Sequence, residues 1–451
     1  MEQRLNAYVE KMVNAIDDVN KIDAEFFSKY NVKKGLRNSD GSGVLVGLTE
    51  IGEVHGYVLY EGERKEDEGR LIYRGIDVVD LVKGFQTEHR FGFEEVCYLL
   101  MFGKLPNKEQ LGEFNGLLGD LRALPNGFTE DMILKAPSSD IMNKLARSVL
   151  VSYSYDNDPD SIDPKNLLRQ SMELIARFPT MAAYGFQAKS HYYGGQSLYI
   201  HMPRPDLSTA ENILHMIRPD NKYTRTEAEI LDLALVLHAE HGGGNNSTFA
   251  ARVVSSTETD TYSAIAAAVG SLKGPKHGGA NIKAMQMLEN IKENVSDWAD
   301  DDEVKSYLTR MMNREVFDGA GLIYGLGHAV YTLSDPRTIL LKEKAHQLAI
   351  EKGREKEFLL YDAVERIGPE VFSAKKGTSK NICANVDLYS GFVYNALGIP
   401  TELFTPLFAV ARIVGWCAHR IEEVVCMQKI IRPAYKSISK LQPFIPLEER
   451  E

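Results

Sequence analysis

The sequence contains few cysteines and no excess of positive charge. Four cysteines are scattered through 451 residues without the C-x-x-C spacing of redox or zinc sites, so we expect a chain that works without disulfides in a reducing compartment, the cytoplasm. With 52 basic against 63 acidic residues, the formal net charge is −11, which argues against nucleic acid as a partner. An anionic small molecule would therefore need arginines that are gathered locally.

Long apolar runs and targeting segments are also missing. No apolar run approaches the roughly 18 residues that span a bilayer, so we expect no membrane contact. Acidic residues among the first twenty, such as Glu10 and Asp17, argue against a transit peptide, and nothing resembles a signal peptide. Strands do not alternate with helices, which disfavours a doubly wound sheet.

Most of the sequence shows helical periodicity. After Asp77 nearly every segment has apolar residues at the spacing of a helix face. Residues 1–33 predict an amphipathic helix that packs on the body of the protein or on a partner. Between residues 43 and 76, short apolar pieces separated by glycines and charged turns predict a small sheet, with strands at 44–48, 56–60 and 70–74. The expected fold is mainly α with a small N-terminal β region.

Local signals place several helix ends. Pro179 predicts a kink or break in a helix over 167–188. Thr226 and Glu229 have the spacing of a capping box. Asp335 followed by Pro336 predicts an N-cap and a first helical position, and Gly353 the end of that helix.

The segment GPKHGGAN at 274–281 breaks two apolar helical runs. Gly274-Pro275 stops the upstream helix, so His277 should lie at the first turn of a new one. The helix dipole there disfavours imidazolium, and a neutral His277 could donate a hydrogen bond to an oxygen that becomes negative. The simpler explanation is a turn histidine after a helix stop.

Three other segments present polar groups from apolar or glycine-rich frames. They are HAEH at 238–241, GLGHAVYTLSDPR at 325–337 and NVDLYSG at 385–391. Singly, each has a structural explanation: Asp387 could cap the next helix, and His238 fits a hydrogen-bonded core histidine. The G-x-G at 325–327 lacks the third glycine and the strand of a dinucleotide loop.

Arg412 is harder to explain structurally, because it lies in the apolar run 407–416. A buried guanidinium is costly unless it meets a carboxylate, from the protein or from a ligand. Arg432 lies nearer a helix end, where an ordinary surface position would suffice.

Together these segments resemble the si-type citrate synthase family. The motifs GPxHGGAN, GxGHxVYxxxDPR and NVDxYSG occur in this order, and the resemblance extends from Gly35 to Pro433. It implies that His277 hydrogen-bonds the thioester carbonyl of acetyl-CoA, that His328 polarises the ketone of oxaloacetate, and that Asp387 removes a methyl proton.

The resemblance also implies binding residues and an assembly. His241, Arg337 and Arg412 would hold oxaloacetate, Lys380 would lie near the CoA phosphates, and Arg432 would reach the site of the neighbouring subunit in a homodimer. Elementary chemistry agrees, since a thioester methyl is a weak acid that needs a donor on its carbonyl, and a dianionic ketoacid needs several guanidinium groups. One departure is Glu240 with Gly242, where many members have Asp and Glu, which could alter the orientation of His241 and the substrate preference.

The expected function is condensation of acetyl-CoA with oxaloacetate to citrate and CoA, without metal or cofactor. The implied architecture is a large domain of residues 1–276 and 390–451, with a small domain of residues 277–389 hinged over it. One alternative is a 2-methylcitrate synthase that uses propionyl-CoA, since one methylene changes binding by only about 1–3 kcal/mol. Alternatives of other classes are a metallohydrolase built on His238, His241, His277 and Asp387, and a helical scaffold without activity.

Overall fold

The computed structural model describes residues 2–38, 41–61, 63–377 and 381–450. They belong to two compact units, Met1–Leu48 and Thr49–Glu451. The first unit contains helices α1 (Glu2–Val19) and α2 (Ala24–Lys29) and a short 3-10 turn. The predicted helical character of residues 1–33 is confirmed, but as two helices rather than one. Leu5 and Val9 of α1 are exposed, and packing of this face on a partner stays a prediction.

The small β region is an antiparallel sheet in the order β1-β2-β3. Its strands are β1 (Gly52–Tyr60), β2 (Glu63–Tyr73) and β3 (Ile76–Asp77). The strand predicted at 44–48 is wrong, because this segment forms no ladder with any described residue and exposes Leu45 and Leu48. An apolar run becomes a strand only where a partner satisfies its backbone groups.

The rest of the second unit is helical, which confirms the mainly α prediction. The helices are α3 (Val78–Thr87), α4 (Phe93–Phe102), α5 (Lys108–Leu121), α6 (Ile141–Ser152), α7 (Pro164–Gly194), α8 (Thr209–Ile217), α9 (Arg225–His238), α10 (Asn246–Ser255), α11 (Thr261–Lys273), α12 (Ala280–Asn294), α13 (Asp301–Met312), α14 (Pro336–Glu351), α15 (Glu355–Lys376), α16 (Val386–Ala396) and α17 (Phe404–Glu422).

Helix ends follow the sequence signals only in part. Asp335 caps α14, with Pro336 at its first position, as predicted. α7 continues through Pro179, so of the predicted kink or break the break is absent and the kink stays a prediction. This stretch of the helix is buried, and tertiary packing offsets the lost hydrogen bond. The capping box of α9 is formed by Thr224 and Glu227, two residues before the predicted pair.

The core is organised around α17, which packs against α4, α7, α9, α10 and α11. The stretch Thr401–Met427, which includes α17, is long and apolar enough to cross a membrane by length and composition, but 83% of its most apolar window is buried in the protein. Packing in the core therefore accounts for its composition. The expectation that no stretch approaches membrane-spanning length was too strict.

Residues 277–389 contain α12 to α15 and the first turn of α16. Within this part of the chain α13 and α14 pack on α15, while α12 and α14 pack on α16. α14 also contacts α9 and β2, so the loop of residues 325–335 that precedes α14 lies near these two elements. The division into a large and a small domain stays a prediction.

Candidate active site

His277 lies in the turn that joins α11 to α12, as the sequence predicted. The turn is closed by bonds from His277 N to Gly274 O (2.9 Å) and from Gly278 N to Leu272 O (3.0 Å). A Cβ atom at Gly278 would lie 2.3 Å from Leu272 O, so only glycine allows this close approach. Burial, and second the charge of Arg412, lower the pKa of His277 to about 4. The ring is neutral at pH 7, as predicted, although burial rather than the helix dipole is the main cause.

Ser247, near the start of α10, holds the ring of His277. His277 Nε2 lies 3.1 Å from Ser247 Oγ, and Trp416 Nε1 donates to the same oxygen at 3.2 Å. Neither partner was predicted from the sequence. The glycine run before Ser247 indicated only a helix end, and no local pattern links residues so far apart in the chain.

Asp387 lies in the first turn of α16 but does not cap it. Asn385 is the N-cap, and its Oδ1 accepts from Asp387 N at 3.0 Å. Burial raises the pKa of Asp387 to about 6; the charge of Arg337 opposes this shift and that of Asp335 adds to it. The carboxylate is therefore mostly ionised at pH 7 and close to the pKa that suits a general base.

His328 follows a loop that is tied to the segment before Asp387. Gly327 N donates to Cys383 O, and Asn385 Nδ2 donates to Gly327 O, both at 2.8 Å. His328 Nδ1 accepts from the backbone N–H groups of Val330 and Tyr331, both at 3.1 Å. Nδ1 is therefore an acceptor, so a neutral ring carries its proton on Nε2 and can donate from there.

His241 lies between His328 and two buried arginines. The His241 and His328 ring centroids are 5.1 Å apart. Burial first, then the charges of Arg337, His328 and Arg412, hold the pKa of His241 well below its ordinary value. Its Nε2 is buried without a hydrogen-bond partner among the described residues.

The two buried arginines differ in their bonds. Arg337 forms a two-bond fork with Asp335, with Nε to Oδ1 at 3.0 Å and Nη2 to Oδ2 at 2.7 Å. Arg412 donates from Nε to His238 O at 2.6 Å, whereas its Nη1 and Nη2 are buried without a partner in the described part of the chain. A buried fork of this kind fits a carboxylate from a ligand.

Arg432 is not bonded to this cluster. Arg432 is exposed in the extended segment that follows the π-helical turn Glu423–Met427. No bond or ion pair joins it to the described residues of the cluster. Lys380 lies outside the described residues. His238 is a core histidine, as predicted, with Nδ1 2.8 Å from Ala234 O.

A cavity of about 190 Å³ lies beside His328. Its lining is mainly apolar, with Leu322, Leu326 and Phe372, and includes Thr332, whose buried Oγ1 has no partner among the described residues. The described residues contain no group of three or more His, Cys, Asp or Glu side chains that could hold a metal. The metallohydrolase alternative therefore has no ligand cluster in this part of the chain.

Comparisons with known proteins identify the family. A family model described as "Citrate synthase, C-terminal domain" matches residues 39–434. The citrate synthase of Deinococcus radiodurans is 34% identical over 93% of this chain and 100% of its own length, and 2-methylcitrate synthase 1 of Corynebacterium glutamicum is 33% identical over 94% and 100%.

A solved structure extends the likeness to the fold. The citrate synthase of Thermoplasma acidophilum, in a ternary complex with carboxymethyl coenzyme A and oxaloacetate, matches with a TM-score of 0.76. It is 27% identical, and the match covers 93% of this chain and 99% of that one. With the family model and relatives above 30% identity, this chain belongs to the citrate synthase family.

Proposed function

We propose that this chain condenses acetyl-CoA with oxaloacetate and water to give citrate and CoA. The observation that carries the proposal is a set of buried side-chain nitrogens without a protein partner among the described residues: the donors Nη1 and Nη2 of Arg412, with Nε2 of His241 in the same cluster. Unpaired buried donors are costly, and the carboxylates of oxaloacetate would satisfy them. Arg337, whose Nη1 makes no bond to Asp335, adds a further positive charge.

The first chemical step is removal of a proton from the methyl group of the thioester. The carboxylate of Asp387 takes this proton while His277 donates a hydrogen bond to the thioester oxygen. This role requires the proton of His277 to lie on Nδ1, so the hydroxyl of Ser247 must donate to Nε2. Trp416 Nε1 donates to Ser247 Oγ, and Ser247 Oγ itself donates to Asn245 Oδ1 at 2.9 Å. Asn245 therefore competes with His277 Nε2 for the single hydroxyl proton, and the hydroxyl must turn from Asn245 to His277 in this role.

The second step forms the carbon–carbon bond. The enol carbon attacks the ketone carbon of oxaloacetate, and the Nε2 proton of His328 stabilises the oxygen that becomes negative. Water then hydrolyses the citryl thioester, which releases citrate and CoA. We assign no metal or cofactor to any step, and chelation with EDTA should leave turnover unchanged.

The test of the base is Asp387→Asn. Turnover should fall by about 10²–10⁴-fold, the usual contribution of a positioned general base, with little change in KM for oxaloacetate. Exchange of the thioester methyl protons into heavy water should fall in parallel. Near-normal turnover would show that the base lies elsewhere.

Stability gives a matched control for the same variant. The pKa of Asp387 is raised to about 6 by burial, so the stability that this group contributes is present below its unfolded pKa and is lost as pH rises through about 6. The asparagine side chain cannot ionise, so the Asp387→Asn variant should be as stable as the parent or more stable at pH 7. A loss of stability together with a loss of turnover would indicate misfolding instead.

Acyl-chain preference separates the two family activities. We propose acetyl-CoA as the main substrate, and 2-methylcitrate synthase activity with propionyl-CoA as the alternative. Thiol release measured with oxaloacetate and each thioester, expressed as kcat/KM, decides between them. A higher value for propionyl-CoA would reverse the assignment.

We also propose a cytoplasmic homodimer with shared sites. Residues 430–446 form neither helix nor strand, and Tyr435, Leu441 and Phe444 are exposed at 95%, 103% and 84%. A second copy of the chain would cover such apolar side chains, and Arg432 in this segment would then reach the partner's site. Mixing Arg432→Ala with His328→Ala should restore partial activity; no recovery in proven heterodimers would contradict the shared site.

Domain closure is the last part of the proposal. The arginines come from α14 in the proposed small domain and from α17 in the proposed large domain, so one dianion can draw both together. Oxaloacetate should therefore bind first and compact the protein. Unchanged dimensions in small-angle scattering with oxaloacetate would leave the hinge without support.

A further inference from the structure

Glu240 is a fully buried carboxylate directly before His241. Its Oε1 accepts from His419 Nε2 at 2.9 Å and from Gly242 N at 2.5 Å. Its Oε2 is buried and has no hydrogen-bond partner among the described residues. A buried carboxylate oxygen without a hydrogen bond is costly unless a positive charge lies nearby.

Two glycines from other elements make room for the Glu240 side chain. A Cβ atom at Gly52 in β1 would lie 2.7 Å from Glu240 Cγ, and one at Gly415 in α17 would lie 2.5 Å from Glu240 Oε2. The longer acid at this position is therefore matched by the absence of side chains on both sides. Its place in the protein is fixed by packing as well as by hydrogen bonds.

His419 stabilises the carboxylate of Glu240 without cancelling its charge. His419 Nδ1 lies 2.7 Å from Nη2 and 3.1 Å from Nε of Arg252. A guanidinium can only donate, so Nδ1 is an acceptor and the proton of the ring lies on Nε2, facing Glu240. Arg252 is itself paired with Glu422 and Glu423, so its charge is compensated at the far side of the ring.

The positive charge that faces Glu240 is Arg412. The Cβ position at Gly415 that lies 2.5 Å from Glu240 Oε2 is also 3.4 Å from Arg412 Cδ. Burial lowers the pKa of Arg412 to about 10, and Glu240 is the first group that opposes this shift. No ion pair within 4.0 Å joins them in the described residues, so Glu240 acts on Arg412 through space.

We propose that Glu240 is a positioning residue that supplies the countercharge of Arg412 in the empty site while leaving both terminal nitrogens of the guanidinium free for a substrate carboxylate. The inference rests on the proposed binding of oxaloacetate. The proposal predicts that Glu240 weakens the binding of oxaloacetate, because the negative charge that compensates Arg412 also repels the incoming carboxylate. Glu240 therefore makes the empty site stable and keeps binding weaker than Arg412 alone would make it.

The test is Glu240→Gln, which keeps the size of the side chain and removes its charge. Titration calorimetry with oxaloacetate alone should give a Kd lower by at least about 10-fold, as expected for a charge a few ångströms away at a protein-like dielectric constant. KM for oxaloacetate should fall with it, while KM for acetyl-CoA stays unchanged. If the role of Glu240 were purely structural, the variant should bind oxaloacetate more weakly, with a higher Kd.

Glu240→Asp and Glu227→Gln are the matched controls. Glu240→Asp keeps the charge, so its Kd should stay closer to the parent value than that of Glu240→Gln. Glu227 is a buried, ion-paired glutamate at the other end of α9, and Glu227→Gln should lower the melting temperature without changing the Kd. If the parent enzyme does not bind oxaloacetate, the proposed function is overturned. If the parent binds oxaloacetate and the Kd of Glu240→Gln is unchanged or higher, only the proposed countercharge role of Glu240 is overturned.

A second measurement needs no substrate. Glu240→Gln leaves Arg412 without its countercharge, so its melting temperature should fall. Adding Arg412→Gln should recover part of the loss, because both charges are then gone. Additive losses in the double variant would overturn the proposal, and this comparison holds even if the single variant is too unstable for calorimetry.

Discussion

Arg337 and Arg412 are two buried arginines of one site with different surroundings. They are exposed by only 5% and 0%. The carboxylate that compensates Arg337 comes from Asp335 in the same helix start and occupies its fork. The carboxylate that compensates Arg412 comes from Glu240, on another element, and does not touch its terminal nitrogens. The position of the countercharge therefore decides whether a buried arginine mainly stabilises the fold or keeps its terminal nitrogens available for a ligand.

The largest expected effect comes from Arg337→Gln. It leaves Asp335 buried and unpaired, which typically costs about 3–5 kcal/mol, so the free energy of unfolding without substrate should fall by about that amount in denaturant titrations. Asp335→Asn combined with Arg337→Gln is the control, since asparagine still caps α14 and carries no charge. If the single variant is as stable as the parent, the fork of Asp335 and Arg337 does not have the role assigned to it.

Arg412→Gln should lose mainly affinity, with a smaller loss of stability, because the carboxylate of Glu240 keeps its bonds from His419 and Gly242. The Kd for oxaloacetate should rise by about 10²-fold or more, because two charge-assisted hydrogen bonds of about 1.5–3 kcal/mol each are lost. Stability of the empty enzyme should change less than in Arg337→Gln.

Arg420→Gln is the matched control for this variant, because Arg420 is also buried in α17 and is bonded to Ser255, Thr259 and Thr261. It should lose stability and keep the parent Kd. Equal stability losses in the Arg337 and Arg412 variants would remove the contrast between the two arginines.

A smaller effect concerns pH. Because Asp387 must be ionised to act as a base and burial raises its pKa to about 6, kcat should rise with pH through about 6. The charge of Asp335 helps to raise this pKa. The rise of kcat should therefore occur at lower pH in Asp335→Asn, whereas Glu227→Gln should leave the pH of this rise unchanged. If the pH at which kcat rises is the same in Asp335→Asn as in the parent, the charges around Arg337 do not influence the pKa of the catalytic base.

Local sequence patterns were enough for many elements. The stop at Gly274-Pro275 and the cap at Asp335 depend on residues within one helical turn, and both are found as predicted. The strand predicted at 44–48 is absent and α7 does not break at Pro179, because a missing partner strand and a buried helix environment are not properties of the local sequence. The cap of α9 at Thr224 was missed for another reason, since Thr224 with Glu227 and Thr226 with Glu229 both have the spacing of a capping box.

The sequence by itself determined the mainly α fold class, the family motifs and the identity of the candidate residues His277, His328 and Asp387, because periodicity, caps and motifs are encoded over short distances. Only the tertiary structure decided their chemical states: the neutral His277 bonded to Ser247, Asn385 rather than Asp387 as the cap, and the open fork of Arg412 opposite Glu240. The physical reason is that burial and charge pairing join residues as far apart as Glu240 and His419, which are separated by 179 positions, and a protonation state depends on that surrounding rather than on the neighbours in the chain.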